Sequence, residues 1–250
     1  MRLLVIGILF LFSVYAIIVF LILMLMVLPF VLVFSLFGNE KGGNLVYLCC
    51  NIWARLWYGS TFIRHKEIYE APLNRNSHYI FIANHSSYLD IPAVVRSIRQ
   101  PVRVLGKYEM VRYPVFGLIY RAAVILVDRT SAEKRSKSVR AMKKALEKNI
   151  SIFIFPEGTF NETDRPLKAF YDGAFRLAVE TRTPIKPVLF IDTIERLPPD
   201  QFLQLTAGAS RVVFMDDINV ENYSLKEINL LKEHVHNLMT TAILKYRSEK

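Results

Sequence analysis

The residues best suited to chemistry are His85 and Asp90, five apart in Asn84-His85-Ser86-Ser87-Tyr88-Leu89-Asp90. The apolar run HYIFIAN ends just before them and reads as a strand, and Ile91-Pro92 after them suits the first turn of a helix. His85 therefore falls in a turn and Asp90 near a helix N-cap. A tight turn at this spacing brings the carboxylate to one ring nitrogen of His85 and leaves the other facing a cleft. That arrangement fixes the tautomer and raises the basicity of the imidazole, as a general base acting on a hydroxyl requires. Alternatively, Asp90 only caps its helix and His85 only ends its strand.

Three further strand ends carry polar groups. ISIFIF is followed by Pro156-Glu157-Gly158-Thr159, a turn in which Glu157 and Thr159 suit a polyol and Gly158 permits close backbone approach. AVILVD is followed by Arg129, suited to bidentate phosphate binding or to an ion pair with Asp128. VRVLG is followed by Lys107, suited to phosphate as a point charge. A serine hydrolase elbow, Gly-x-Ser-x-Gly after a strand, is absent. The nearest approach, Gly208-Ala209-Ser210-Arg211-Val212, lacks the second glycine and precedes a strand.

The elements that must hold these residues alternate. FIRHKEIYE, HYIFIAN, VRVLG, AVILVD, ISIFIF, PIKPVLFID and SRVVFMD read as strands, several apolar on both faces. Helices are expected over 131–148, with Val139, Met142 and Leu146 on one stripe, and over 170–182 and 224–247. Strands alternating with helices imply an α/β fold with a largely parallel or mixed sheet covered on both faces.

Residues 3–38 contain no Asp, Glu, Lys, Arg or His. This exceeds the roughly 20 apolar residues of one membrane span and predicts a retained anchor. Pro29 either kinks one long helix or divides a helical hairpin within one leaflet. Residues 43–60 carry Trp53, Trp57 and Tyr58 at helical spacing, as a helix at the membrane interface or one packed on the soluble domain would. The expected organisation is an anchor and interfacial helix over 1–60 and a catalytic domain over 61–250.

The formal net charge is +10, and residues 96–148 hold 14 Lys or Arg against 4 Asp or Glu. Beside a membrane anchor, this excess points to an anionic membrane and phosphorylated substrates, and not to nucleic acid. The two cysteines, Cys49 and Cys50, are neighbours, which gives neither a disulfide framework nor a cysteine metal site.

Taken together, the blocks resemble the glycerophosphate acyltransferase superfamily, most closely the 1-acyl-glycerol-3-phosphate acyltransferases (the PlsC-like family). NHSSYLD, residues 84–90, matches the family's first motif, NH-x4-D. AVILVDR, residues 123–129, resembles the second and FPEGT, residues 155–159, the third. Pro184-Ile185-Lys186-Pro187-Val188 resembles the fourth. The four stand in family order over residues 78–190.

The resemblance implies that His85 is the general base and Asp90 its orienting partner. It implies that Arg129 and Lys107 bind substrate phosphate, and that Glu157 and Gly158 contact the acceptor. The acceptor would be a lysophospholipid such as lysophosphatidic acid. The acyl thioester donor, acyl-CoA or acyl-carrier protein, would serve as co-substrate, with no metal or other cofactor. A bacterial inner membrane with the catalytic domain on the cytoplasmic side is the implied setting. Two positions depart from the pattern. Ala123 stands where the second block usually begins with Gly, and Phe160 follows Thr159 where Arg is usual. Loss of that Arg leaves other lysolipid acceptors open, with Arg165 or Lys168 as nearby substitutes. A lipid hydrolase is the rival of a different class.

Overall fold

The computed structural model describes residues 2–249 except Arg129, with the side chain of Arg2 also left aside. Its centre is a sheet of seven strands: β1 Ile63–Tyr69, β2 Ile80–Ala83, β3 Val102–Lys107, β4 Val124–Val127, β5 Ser151–Ile154, β6 Ile185–Phe190 and β7 Gly208–Phe214. Every expected strand is present, in the spatial order β1-β7-β6-β2-β5-β3-β4. All neighbouring pairs run parallel except β6 and β7, so the sheet is mixed. The most apolar runs occupy the middle: all four residues of β2 and of β5, and all six of β6, are buried. Strands covered on both faces cannot alternate apolar with polar. Gly208-Ala209-Ser210 lies inside β7 with Ser210 fully buried, so this serine is part of the sheet and not of a turn before it.

One face of the sheet packs against α5 Ala132–Leu146, α6 Gly173–Thr181 and α8 Ile228–Ser248, joining Ile80, Ile82 and Ile152 to Met142, Phe175 and Leu231. Within α5, Met142 and Leu146 are buried as expected, but Val139 is exposed. Ser138 takes the inward place, its hydroxyl donating to the carbonyl of Leu126 at 2.9 Å. The other face carries α2 Gly43–Ser60, α3 Asp90–Ser97 and α4 Phe116–Ala123, with Tyr47, Ala54 and Val94 packed on Phe81 and Phe153. A short helix, α7 Thr193–Arg196, follows β6.

The apolar N-terminus forms α1, Arg2–Ser35, which runs through Pro29 without dividing there. At about 1.5 Å per residue it is about 50 Å long. The hairpin turn comes later, through a π-helical turn at Gly38–Gly42 into α2. Gly42 is required at this bend: a Cβ there would stand 2.2 Å from the carbonyl oxygen of Phe34. The antiparallel α1–α2 pair explains the tryptophans. Trp57 is buried and donates its ring N–H to the carbonyl of Ala16 at 2.9 Å, and Trp53 meets Phe20 edge to face at 4.7 Å. The aromatic stripe of α2 thus faces α1, and its outer side exposes Leu48, Ile52 and Leu56.

Polar ties hold the hairpin to the rest of the fold at both ends. The buried Arg103 guanidinium donates to the carbonyl of Asn39 at 2.7 Å and to Asn44 Oδ1 at 2.9 Å, while Lys148 pairs with Glu40. Near the other end, Ser13 Oγ accepts the N–H of Leu205 at 2.8 Å.

Candidate active site

The C-terminal ends of the parallel strands are where an α/β sheet gathers its reactive groups. His85 follows β2, Glu157 follows β5 and Lys107 ends β3, on three adjacent strands.

The Asp90 carboxylate is fully buried and receives only donors. Its Oδ2 accepts from His85 Nδ1 at 2.9 Å and from the backbone N–H groups of Ser86 at 2.7 Å and Ser87 at 2.9 Å. Its Oδ1 accepts the hydroxyl of Thr193, the first residue of α7, at 2.6 Å. Asp90 is the first residue of α3, and its side chain does not cap that helix. The four donors meet a carboxylate with four lone-pair sites. The carboxylate obliges Nδ1 to carry the proton, which leaves Nε2 as the acceptor. The turn that makes this possible is tied down by Ser87, whose hydroxyl donates to the carbonyl of Leu197 at 2.7 Å. Asn84 adds a two-way clasp with Phe190 of β6, at 2.9 and 2.8 Å.

Glu157 is buried and turned inward. One oxygen accepts the backbone N–H of His85 at 2.8 Å and the other that of Lys168 at 2.8 Å. Burial pushes its carboxyl up to about 7, against the pull of those two N–H groups, and the charge of Asp90 adds to the rise. The Glu157 side chain therefore joins the turn after β2 to the loop 156–168. Gly158 adopts φ +75°, where a side chain would be strained. Thr159 is exposed, and its hydroxyl accepts from Lys168 Nζ at 2.8 Å. Lys107 is exposed at the end of β3, two strand places from β2 and hence about 10 Å away in the sheet plane. Arg129 lies outside the described residues. Beside it, Asp128 pairs with Lys134 at 2.6 Å and accepts from Thr130, which lowers its carboxyl.

The imidazole of His85 lies between two rings, stacked on Phe155 at 4.0 Å and tilted against Phe160 at 4.4 Å. An apolar cavity of about 460 Å³ lies between the α1–α2 hairpin and α3, β3 and α4, lined by side chains that include Ala16, Phe20, Trp53, Val94 and Ile119. Tyr88, Leu89 and Phe202 are among its lining residues, and Tyr88 meets Phe160, which packs on His85. A volume of that order suits a ligand of tens of atoms.

A model of the acyltransferase family matches residues 64–191, the stretch that holds the His85–Asp90 pair and the Glu157 turn. The chain belongs to the acyltransferase family. It is 29% identical over 172 residues to a 1-acyl-sn-glycerol-3-phosphate acyltransferase of Salmonella typhimurium, covering 68% of this chain and 69% of that one. It is 30% identical over 203 residues to an uncharacterized acyltransferase of Schizosaccharomyces pombe, covering 76% of this chain and 71% of that one. A 1-acyl-sn-glycerol-3-phosphate acyltransferase of Cocos nucifera is 30% identical over 165 residues, which is 65% of this chain but only about half, 53%, of that protein. Among solved structures, the 1-acyl-sn-glycerophosphate acyltransferase PlsC of Thermotoga maritima superposes with a TM-score of 0.76 at 19% identity, over 99% of this chain and 98% of that one. That likeness extends to the helical hairpin, so the N-terminal arrangement is part of the shared fold.

Within this family setting, several residues of the site make contacts that no motif announces. Thr193 is 103 positions from Asp90 in sequence. Phe155 and Phe160 read as strand end and departure, yet they hold the imidazole. Lys168 stands out in the sequence only by its nearness to Phe160, and the structure ties it to both Glu157 and Thr159.

Proposed function

We propose that the chain transfers a fatty acyl group from a thioester donor, acyl-CoA or acyl-carrier protein, to the free hydroxyl of lysophosphatidic acid, giving phosphatidic acid for phospholipid synthesis. The observation that carries the reading is the His85–Asp90 pair at 2.9 Å, joined through Phe160 and Tyr88 to the apolar cavity. A dyad with its acceptor nitrogen free is equipped to take a proton from a hydroxyl. The cavity is equipped to take an alkyl chain, each buried methylene contributing about 0.8 kcal/mol.

In this mechanism the acceptor hydroxyl hydrogen-bonds to His85 Nε2. As its oxygen attacks the thioester carbonyl, its proton passes to Nε2 and Asp90 stabilises the imidazolium. The tetrahedral intermediate collapses, the C–S bond breaks, and the thiolate takes the proton back from the imidazolium. General-base action of this kind contributes about 10²–10⁴-fold. Glu157 holds the turn from which His85 projects. Gly158, Thr159 and Lys168 border the glycerol moiety, and Lys107 with Arg129 receives the phosphate.

The membrane setting follows from the hairpin. Among the described residues, one helix is long and apolar enough to cross a bilayer. Yet α1 is docked on the domain from Ser13 to Phe34, and the turn after it is tied to Arg103 and Lys148. An α1 that stays on the domain along this length lies within one leaflet, which brings the cavity to the depth of the acyl chains. We place the catalytic domain on the cytoplasmic side of a bacterial inner membrane, where thioester carriers are made.

The test is a panel of lysolipids offered with acyl-CoA and acyl-carrier-protein donors to the purified protein in vesicles, with products identified by mass. Phosphatidic acid formed from lysophosphatidic acid, and lost in a folded His85→Ala variant, supports the proposal. Transfer to another lysolipid in preference would move the acceptor, as the aromatic Phe160 in place of a cation favours. Free fatty acid as the sole product would replace the transferase reading with a hydrolase.

A further inference from the structure

The rings around His85 form a continuous series. Phe155 stacks on one face of the imidazole at 4.0 Å and Phe160 closes on it at 4.4 Å. Phe160 meets Tyr88 edge to face at 4.8 Å, and Tyr88 meets Phe202 in the same way at 5.3 Å. Tyr88 and Phe202 line the apolar cavity. A line of aromatic edges thus runs from the cavity to the base.

Phe160 is the fixed member of this series. Its own carbonyl accepts from Lys168 Nζ at 3.3 Å. The next residue, Asn161, donates its backbone N–H to the carbonyl of His85 at 2.6 Å. The ring is therefore held against the imidazole by the same strand-end loops that build the dyad. Tyr88 and Phe202 are its more exposed neighbours, 46% and 51% exposed on connecting segments.

The chemistry supplies a reason for such a series. A general base does not distinguish a lipid hydroxyl from water. Water in the place of the acceptor would give its proton to Nε2, bond its oxygen to the acyl carbon, break the C–S bond, and leave a free fatty acid and a thiol. Discrimination must come from keeping water away from the carbonyl, and apolar ring edges offer no partner to hold a water there. The cationic side chain usual after Thr159 would offer several.

We propose that Phe160, with Tyr88 and Phe202, is an aromatic collar that seals the junction between the cavity and His85, and that it sets how the thioester divides between the lysolipid hydroxyl and water. Phe160 is a specificity-determining residue in this reading, which rests on the acyl-transfer function proposed above.

The experiment measures acylated lipid and free fatty acid in one reaction, by mass, with the full chain in vesicles and the donor and acceptor that give the highest turnover in the panel above. Phe160→Ala raises the ratio of free acid to acylated lipid by about tenfold or more, a change of about 1.4 kcal/mol in relative barrier. Phe160→Leu restores most of the wild-type ratio, and Tyr88→Ala shifts it in the same direction by less. Should Phe160→Ala fail to fold, Phe160→Tyr keeps the ring, adds one hydroxyl that can hold water, and raises the ratio. A merely structural role would lower both products together and leave the ratio unchanged, and that result in a folded variant overturns the proposal. Failure of the transferase reading itself is separate: the wild-type chain would then release only free acid with every acceptor.

Discussion

Replacing Asp90 by Asn isolates the charge of the dyad from its geometry. The amide oxygen can keep the three donors on Oδ2, from His85, Ser86 and Ser87, and the amide N–H₂ then faces Thr193 Oγ1, which can accept in turn. The turn therefore survives, and the loss in stability is about 1–2 kcal/mol. What disappears is the attraction between carboxylate and imidazolium, which exists only once the acceptor proton has moved. At the 2.9 Å separation it is about 6 kcal/mol for an effective dielectric of about 20. Proton transfer is partial in the transition state, and the Asn carbonyl dipole recovers some of the interaction. About half, or 3 kcal/mol, is the expected rise in barrier, which lowers kcat by about 10²-fold. KM for the acceptor changes little, because the neutral ground state carries no such charge pair. The assay is steady-state transfer by the purified variant in vesicles, alongside a thermal melt against wild type. A folded Asp90→Asn protein with kcat within about threefold of wild type would refute the argument that this carboxylate stabilises a cationic imidazole.

Three further outcomes follow from the same geometry. Thr193→Val leaves the buried Asp90 Oδ1 without its donor; it costs about 1–3 kcal/mol, read as a fall in melting temperature of several degrees. Glu157 is raised from 4.5 to about 7 in the folded protein, so the folded state holds a proton that the unfolded state has released between those values, and its contribution to stability falls as pH rises through that window. Glu157→Gln abolishes that part of the slope, of order 3 kcal/mol in total, so the variant gains on wild type from pH 4.5 to 7 in denaturant titrations, and parallel pH profiles would refute it. Ala123→Phe narrows the cavity at the α4 end and shifts the preferred acyl chain shorter, by about fourfold in relative rate for each methylene excluded, as a chain-length panel would read.

The sequence made the sheet legible because its strands are short apolar runs bounded by polar turns, and burial on both faces enforces that pattern. It made the dyad legible because His85 and Asp90 share one turn, so local spacing alone determines whether they can meet. The partners that complete the site are another matter. Thr193 reaches Asp90 only because β6 lies beside β2, and Glu157 reaches the His85 N–H only because β5 lies on the other side. Strand order is set by the packing of the whole chain, and no residue type near position 193 announces it.

The same distinction explains the hairpin. Pro29 is compatible by sequence with a kink in one long helix or with a divided hairpin, since proline removes a donor and crowds the preceding turn. An apolar helix with few alternative partners for its backbone continues through it, and the bend falls where Gly42 allows close approach to Phe34 and Arg103 can hold the carbonyl of Asn39. Arg103 sits in the buried part of β3 and looked, from the sequence, like one more member of a basic surface. Lys186 is a stronger instance: it is fully buried in β6, with its ammonium 3.6 Å from Asp217 and without a hydrogen-bond partner among the described residues. Part of the basic count thus supports the fold from within and is not available to phosphate or lipid headgroups. Of the cations near the site, Lys107 is exposed at the C-terminal end of β3, and the half-buried Lys168 lies in the loop after β5, where its Nζ reaches Thr159. The case for an anionic acceptor therefore rests on where the cations stand, more than on the net charge of +10.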